Sequence, residues 1–366
     1  MIDRGHSRSG VTLTGILCAL VLIGLAILLS AGIVEGQKKF DSPYYYFIHQ
    51  LIFGVLPGII LYIILSRFDY RRFRGLSLLL LIGALIFMVL IFVPGVGFAV
   101  KGSQRWLDFG ILTFQPSEVL KLALILYFAA WFSRKDRHVT SWTYSVVPFL
   151  LVAGFSGALL VMQPDFGTLG VVAVIVFSMY FFAGAKISHL VGIVLCAVAL
   201  VAVLSVFSPY RFNRIKAFLN PSGDTQGISY HINQSLIGIG SGGLFGVGFG
   251  QSKQKISYLP EPVGDSIFAV YAEEMGLLGA AALISLFIFL ALTLLAIAKK
   301  CGDGFGRLIA LGMMTWVVGQ AFVNIAAISG LVPLTGLPLP FVSFGSSSLV
   351  SILAGMGIVR NVAKHI

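Results

Sequence analysis

The chain has 366 residues, of which 58% are hydrophobic and 11% are charged, and its mean hydropathy is +0.97. A soluble domain carries about 25% charged residues, so this composition excludes a soluble protein and indicates several membrane spans. The net charge of +11 does not indicate nucleic-acid binding, because the basic residues are spread over short loops. The three cysteines are far apart and show no metal-ligand spacing or disulfide framework.

Apolar runs recur along the whole chain, and a transmembrane helix needs roughly 20 apolar residues. They predict an all-α polytopic membrane protein of about ten spans, organised as one domain over residues 1–366. A long loop at about 208–265 separates the seventh and eighth spans. The candidate spans are 12–33, 46–66, 75–94, 118–132, 143–163, 168–184, 188–207, 266–298, 308–329 and 342–359.

The lysine and arginine distribution predicts the face of the membrane on which each loop lies. With a cytoplasmic N-terminus, fifteen of the 25 basic residues lie in inside segments and nine in outside segments. Five of those nine lie in the longest loop, and long loops count little in the positive-inside rule. We therefore expect both termini in the cytoplasm, an extracytoplasmic 208–265 loop and no cleavable signal peptide.

The stretch that leads into the fourth span contains charges that are costly inside a bilayer. Pro116 suits the first turn of a helix, and Glu118 and Lys121 then share one helix face at i, i+3. They form either a self-neutralising pair or part of a polar site that opens outward. The neighbouring basic residues Lys101 and Arg105 favour the site.

Two further polar segments interrupt the apolar pattern. Gln163–Thr168 joins two apolar runs with a proline, an acid and a glycine, and such breaks need protein or water around the backbone. It is either a tight external turn with a solvated Asp165, which is the favoured interpretation, or a site in which Asp165 acts directly. After the seventh span, Arg211 and Arg214 suit either a pyrophosphate, which guanidinium groups bind bidentately, or lipid headgroups.

The longest polar stretch, residues 229–276, is rich in glycine and broken by prolines. It contains a formal G-x-G-x-x-G, but no βαβ unit surrounds it, so a nucleotide site is rejected. The glycines instead predict tight loops packed against the mouth of the bundle. Lys253 and Lys255 are expected to give this loop a basic lip.

Asp265 lies where an apolar helix begins. Aspartate is a favoured N-cap residue, so a capping role and a chemical role both remain open. On an ideal helix Glu273 lies about 80° from Asp265 and Glu274 nearly opposite. The three carboxylates cannot all serve one site, and we expect at least one of the glutamates to make structural contacts.

The uncharged loop Gly330–Ser348 carries three prolines and a run of serines that enters the last span. Ser343 and Ser346 are candidates to donate hydrogen bonds to a ligand. The alternative, which these residues alone favour, is hydrogen bonding between helices, a common use of small polar residues in membranes.

Together these segments resemble the SEDS family (shape, elongation, division and sporulation), the FtsW/RodA/SpoVE proteins, in the family's order from about Lys101 to the C-terminus. The matching segments are KGSQRWLDFG, FQPSEVLK, QPDFGT, YRFNR, SYHINQSLIGIGSGGLFGVGFGQSKQ, LPEPVGDSIFAVYAEEMG and LPLPFVSFGSSS. The loop sequence is more similar to the division branch than to the elongation branch. The residues 263–266, Val-Gly-Asp-Ser, depart from the His-Thr-Asp-Phe type of string found in many relatives.

The resemblance implies a peptidoglycan glycosyltransferase that polymerises lipid II, an undecaprenyl-pyrophosphate-linked disaccharide peptide, outside the cytoplasmic membrane. The family's essential aspartate corresponds to Asp265, the candidate general base. The predicted substrate-binding set combines residues of the matching segments with the polar candidates described above. Its members are Lys101, Arg105, Gln115, Glu118, Lys121, Asp165, Arg211, Arg214, His231, Gln234, Ser343 and Ser346.

The resemblance also implies a partner, a class B penicillin-binding protein with transpeptidase activity. A divalent cation, Mg²⁺ or Mn²⁺, could bridge a carboxylate and the pyrophosphate, since such ions favour oxygen ligands; no organic cofactor is expected. Three alternatives stay open: a lipid II flippase, whose discontinuous helices are typical of transporters, a scaffold for a division complex, and an elongation polymerase.

Overall fold

Helices dominate the chain because a helix satisfies its backbone hydrogen bonds internally, as a membrane requires. The computed structural model describes residues 8–100, 103–108, 110, 113–134, 146–206, 228–256 and 258–366. The helices are α1 (Arg8–Phe40), α2 (Tyr45–Gln50), α3 (Leu56–Arg67), α4 (Phe73–Leu90), α5 (Pro116–Phe132), α6 (Val147–Met162), α7 (Phe166–Phe182), α8 (Ile187–Val206), α9 (Ile228–Ser241), α10 (Ile267–Lys300), α11 (Gly304–Ile328) and α12 (Ser346–Lys364). A π-helical segment, Leu51–Val55, joins α2 to α3.

The predicted fold class, an all-α polytopic membrane protein, is confirmed. In the part of the chain that the structure describes, six helical segments are long and apolar enough to cross a membrane, and three shorter apolar helices accompany them. Every one of the ten candidate spans overlaps a helix. That all ten cross the bilayer stays a prediction, as does the division of the chain into one domain.

The interior of the bundle is built around α11 and α12. Helix α11 packs against α10, α5 and α7, and α12 packs along α3. The side chains of Trp316, Phe287 and Phe305 are fully buried in this core. Helices α11 and α12 therefore form the centre of the bundle, against which the other helices pack.

A small antiparallel sheet, which the sequence did not predict, lies between α4 and α5. Its strands are β1 (Gly97–Val100), β2 (Ser103–Asp108) and β3 (Thr113–Phe114), in the order β1-β2-β3. Leu107 pairs with Gly97 on one side and with Phe114 on the other, and its side chain is fully buried. The sheet fixes the position of Arg105 relative to the helical bundle.

Helix α10, which covers the candidate span 266–298, is not continuous. Gly276 has φ 67° and ψ −169°, so the helix is broken there. The glycine loop crosses the break: Leu277 N donates to Gly243 O at 2.9 Å, and Val247 N donates to Glu273 O at 3.0 Å. Backbone groups freed by the break are thereby paired.

The close approach of the loop explains its glycines. A Cβ on Gly246, whose φ is +80°, would lie 2.1 Å from the carbonyl oxygen of Glu274. The prediction of a glycine loop packed against the bundle is confirmed. The loop also contains a helix: α9 occupies Ile228–Ser241 and packs against α10, where the sequence indicated only a polar loop.

Candidate functional site

The turn that carries Asp265 is held by three consecutive backbone carbonyls. Val263 O accepts from Phe344 N at 2.9 Å, Gly264 O accepts from Ser343 Oγ at 2.7 Å, and Asp265 O accepts from Asn324 Nδ2 at 2.8 Å. The donors come from α11 and from the last loop before α12. We call this arrangement the Asp265 clamp. It restrains the backbone at the candidate base from two elements that are distant in sequence.

Asp265 is not the N-cap of α10, which corrects the capping interpretation. The N-cap is Ser266, one residue later, and its side chain makes no capping hydrogen bond. Ser266 Oγ instead donates to Pro260 O at 2.8 Å and contacts His231 Nε2. Because the single hydroxyl proton is used by Pro260, His231 Nε2 is the donor in that contact. The predicted site residue His231 therefore lies beside the Asp265 clamp, where it fixes the neighbouring serine.

Gln234 lies one turn from His231 on α9 and is half-buried. Its predicted role in substrate binding stays a prediction. Ser343 is part of the Asp265 clamp and also accepts from Leu339 N at 2.8 Å. Ser346 contacts His49 and Gln50 on α2. Both serines make the contacts between elements that the alternative interpretation predicted.

Glu118 and Lys121 form an ion pair inside the bundle. Lys121 Nζ lies 2.8 Å from Glu118 Oε1, and the two residues are 0% and 3% exposed, respectively. The ammonium also donates to Gln320 Oε1 at 3.2 Å and lies 4.8 Å from the centre of the Trp316 ring. Burial of both charges requires such compensation. The predicted pair is therefore confirmed, and in this structure it is covered by protein.

Gln115, at the start of α5, is tied to the start of α12. Its backbone N–H donates to Ser347 Oγ at 3.2 Å, and Ser347 Oγ donates to Thr113 O at 3.4 Å. Pro116 occupies the first helical turn, as predicted. These contacts place the N-terminal ends of α5 and α12 side by side, at the same end of the bundle as the Asp265 clamp.

Asp165 is buried rather than solvated, which corrects the simple-turn interpretation. Its carboxylate caps α7, accepting from Thr168 N at 3.2 Å and from Thr168 Oγ1 at 2.9 Å. Arg105 Nη1 lies 3.7 Å from Asp165 Oδ1. Arg105 also donates to the carbonyls of Gln163 and Pro164. Its partners among the described residues are thus those of the α6–α7 turn, while its side chain keeps 33% of its surface exposed.

Glu273 and Glu274 are structural, as was expected for at least one of them. Glu273 accepts from Ser252 Oγ, from Lys253 N at 3.0 Å and from Gln254 N at 3.3 Å. Both carboxylates are buried beneath the glycine loop. They hold that loop onto the first half of α10, directly after the Asp265 turn.

Lys255 does not contribute to a basic lip. It is buried, and its ammonium lies 2.7 Å from Glu274 Oε1 and donates to Ser30 Oγ at 2.7 Å and to Gly250 O at 2.8 Å. Only Lys253 of the predicted lip is exposed. The expected surface charge is therefore smaller than the sequence indicated, and the lysine instead joins α1 to the loop.

Two polar residues that sequence reasoning missed, Gln320 and Asn324, lie on α11 between the ion pair and the Asp265 clamp. Gln320 Nε2 donates to Pro338 O at 2.9 Å, and Asn324 Nδ2 donates to Leu337 O at 2.7 Å. An amide pair at i, i+4 in an apolar helix was the available signal, because such residues are rare within spans and usually have a partner.

Three predicted ligands of the substrate, Lys101, Arg211 and Arg214, lie outside the described residues. Among the residues described, no group of three or more His, Cys, Asp or Glu side chains could hold a metal ion.

The fold and the site together define an integral membrane protein with a polar site built at one end of a helical bundle. The chain belongs to the cell cycle protein family FtsW/RodA/SpoVE, and a sequence model of that family matches residues 11–366.

Two relatives illustrate the similarity. Stage V sporulation protein E of Bacillus subtilis is 39% identical over 347 residues, which are 94% of each chain. A probable peptidoglycan glycosyltransferase FtsW of Trichlorobacter lovleyi is 39% identical over 345 residues, covering 94% of this chain and 90% of the relative.

Solved structures agree with the fold. A chain of a peptidoglycan synthase complex, described as coordinating polymerization and crosslinking, matches with a TM-score of 0.79 and 29% identity, covering 96% of this chain and 97% of the other. The rod shape determining protein RodA of Thermus thermophilus matches with a TM-score of 0.70 and 29% identity, covering 96% and 95%.

Proposed function

We propose that this protein is a peptidoglycan glycosyltransferase that polymerises lipid II at the outer face of the cytoplasmic membrane. The observation that carries the proposal is the Asp265 clamp, which holds one carboxylate-bearing turn by three consecutive carbonyls at the end of a membrane bundle. Membership of the family, and the FtsW relatives described as probable peptidoglycan glycosyltransferases, support the reaction. A lipid-linked sugar needs both an apolar bundle and a polar site at its end.

In the proposed reaction a sugar hydroxyl of the acceptor attacks the anomeric carbon of the donor. The new C–O bond forms as the bond to the pyrophosphate breaks, and its electron pair leaves with undecaprenyl pyrophosphate. Asp265 accepts the hydroxyl proton, and general-base assistance of this kind contributes roughly 10²–10⁴-fold. Direct attack inverts the anomeric centre, whereas a covalent intermediate would retain it.

The leaving pyrophosphate requires cationic groups. Arg105 is the described candidate with exposed surface, and Arg211 and Arg214 complete the proposed set. Lys121 is buried against Glu118 and Gln320, so we assign the Glu118–Lys121 pair a supporting role in this conformation. If a divalent cation takes part, Asp265 and the pyrophosphate oxygens would hold it, and it would neutralise charge on the leaving group.

We further propose a division or sporulation role rather than an elongation role. Stage V sporulation protein E of Bacillus subtilis and the FtsW relative of Trichlorobacter lovleyi are each 39% identical to this chain, compared with 29% for RodA of Thermus thermophilus. The proposed topology has both termini in the cytoplasm. The proposed partner is a class B penicillin-binding protein, in agreement with the synthase complex that shares this fold.

The test is polymerisation of lipid II by purified full-length protein, with and without a class B penicillin-binding protein, with glycan chains sized on a gel. Asp265→Asn should lower polymerisation by at least about 100-fold. Asp108→Asn is the matched control, because an amide oxygen can still accept from Gly110 N, and it should polymerise normally. Full polymerisation by the Asp265→Asn protein would eliminate Asp265 as the base.

A transporter of lipid II is the second candidate, because α10 is broken at Gly276 and the α6–α7 junction is broken at residues 163–165. Discontinuous helices are typical of transporters. Liposomes that contain the protein and labelled lipid II separate the two functions. Movement of the label between leaflets without polymer would favour transport, and polymer formation would favour the glycosyltransferase.

A further inference from the structure

The polar residues of α11 form a ridge that runs between the two parts of the site. Trp316, Gln320 and Asn324 follow each other at intervals of four residues, so they lie on one face of the helix. All three are at most 1% exposed. The two amides contact adjacent peptide groups of the last loop, since Gln320 donates to Pro338 O and Asn324 donates to Leu337 O.

Chemistry determines the orientation of the Gln320 amide. Its Oε1 faces Lys121 Nζ and Trp316 Nε1, each at 3.2 Å. Both partners are donors only, so the oxygen must face them and the NH₂ group must face Pro338. Gln320 therefore bridges the Glu118–Lys121 ion pair and the last loop in a single amide orientation.

Asn324 is the corresponding link at the other end of the ridge. Its Nδ2 donates to Leu337 O at 2.7 Å and to Asp265 O at 2.8 Å. Both amide protons are used, one on the last loop and one on the candidate base's own backbone. Within the described residues its Oδ1 accepts no hydrogen bond, so Asn324 acts here as a double donor.

We propose that Asn324 and Gln320 are positioning residues that couple the buried Glu118–Lys121 ion pair to the placement of Asp265. This inference rests on the proposed function, in which the Asp265 carboxylate is the base. Loss of the Asn324 amide frees the carbonyls of Asp265 and Leu337 together, so the turn keeps only the restraints from Ser343 and Phe344. A misplacement of about 1 Å at a reacting group costs on the order of 100-fold in rate.

Asn361 is a matched control at the opposite end of the bundle. It is also an asparagine, 3% exposed compared with 1% for Asn324. Its Nδ2 donates to Ser66 O at 3.1 Å, and its Oδ1 accepts from Tyr70 N at 3.0 Å. Asn361→Ala therefore removes as many buried hydrogen bonds as Asn324→Ala, without touching the Asp265 clamp.

The experiment compares Asn324→Ala, Gln320→Ala, Asn361→Ala and Asp265→Asn by lipid II polymerisation kinetics and by thermal unfolding in detergent. We expect Asn324→Ala to lower kcat by about 10- to 100-fold with KM nearly unchanged, and Gln320→Ala to lower kcat less. Asn361→Ala should lower the unfolding midpoint as much as Asn324→Ala does but leave kcat at its normal value.

The outcomes separate this inference from the proposed function. A normal kcat in Asn324→Ala together with an inactive Asp265→Asn protein would overturn the positioning role and leave the proposed function in place. An equal loss of kcat in Asn361→Ala would reduce the effect to general destabilisation and would also overturn it. Full activity of Asp265→Asn would overturn both proposals.

Discussion

The two ends of the helical bundle each carry an aspartate beside the start of a long helix, and they use it differently. Asp303 is the N-cap of α11: its carboxylate accepts from Gly306 N at 3.2 Å, from Tyr70 Oη at 3.3 Å and from Arg74 Nη2 at 3.2 Å. Asp265 precedes the N-cap of α10 by one residue and is held through its backbone.

This difference shows how the same residue type at similar positions can have different functions. At the Asp303 end the carboxylate itself stabilises the fold. At the Asp265 end the restraints come from Asn324, Ser343 and Phe344 and act on peptide carbonyls. A turn that is fixed through its backbone stays in place when its side chain changes its protonation state or its partner.

The largest effect on stability should come from the buried Lys255–Glu274 ion pair, which lies beneath the glycine loop. Lys255→Met leaves Glu274 buried without its cation, which should cost about 3–5 kcal/mol. Lys253→Met is the control, because the Lys253 side chain is exposed and lies only two residues away in sequence. It should change stability by less than about 0.5 kcal/mol. Unfolding titrations in mixed micelles would measure both, and equal stabilities would contradict the buried pair.

A second prediction concerns the backbone of the glycine loop. Gly246→Ala should destabilise the protein by more than about 2 kcal/mol, because a Cβ there meets the Glu274 carbonyl at a positive φ. Gly240→Ala in α9 is the control, since a Cβ there meets no atom within 4 Å. In the same titration the Gly240→Ala protein should be as stable as the unchanged protein or slightly more stable. An equal loss of stability in both variants would refute the close approach of the loop to the Glu274 carbonyl.

The pairs Arg105–Asp165 and Arg74–Asp303 also test the difference between the two ends of the bundle, with a smaller expected effect. Arg105→Gln should lower polymerisation about 10- to 100-fold, because a charge-assisted hydrogen bond to pyrophosphate contributes about 1.5–3 kcal/mol. Arg74→Gln, at the other end, should leave polymerisation normal and change stability by at most about 1 kcal/mol, since its pair with Asp303 is partly exposed. Parallel gel assays would check this, and similar activities would remove Arg105 from the site.

The smallest effect on activity is expected from the structural aspartate. Asp303→Ala should cost about 1–2 kcal/mol, the usual value of a lost N-cap, while the activity of the folded fraction stays normal. Thermal unfolding combined with the polymerisation assay would show both. A loss of activity that exceeds the loss of folded protein would mean that the two ends are not separated in function.

Several features followed from the sequence because their physical causes are local. Apolar runs predict helices, Pro116 predicts the start of α5, and the i, i+3 spacing of Glu118 and Lys121 predicts their pair. The proline and aspartate before α7 predict the break between α6 and α7. Each depends on neighbours within one or two turns, where backbone geometry fixes the distance between side chains.

The tertiary structure decided the contacts between distant segments. Asn324 and Asp265 are 59 residues apart, and Gln115 and Ser347 are 232 residues apart. Three further features depend on which surfaces pack together. They are the contact of Lys255 with Ser30 on α1, the break at Gly276 and the shift of the N-cap to Ser266. Periodicity shows only that a residue faces the interior. The partner that satisfies a buried amide or charge is set by the packing of whole helices, so the clamp around Asp265 appears only once α11 and the last loop are in place.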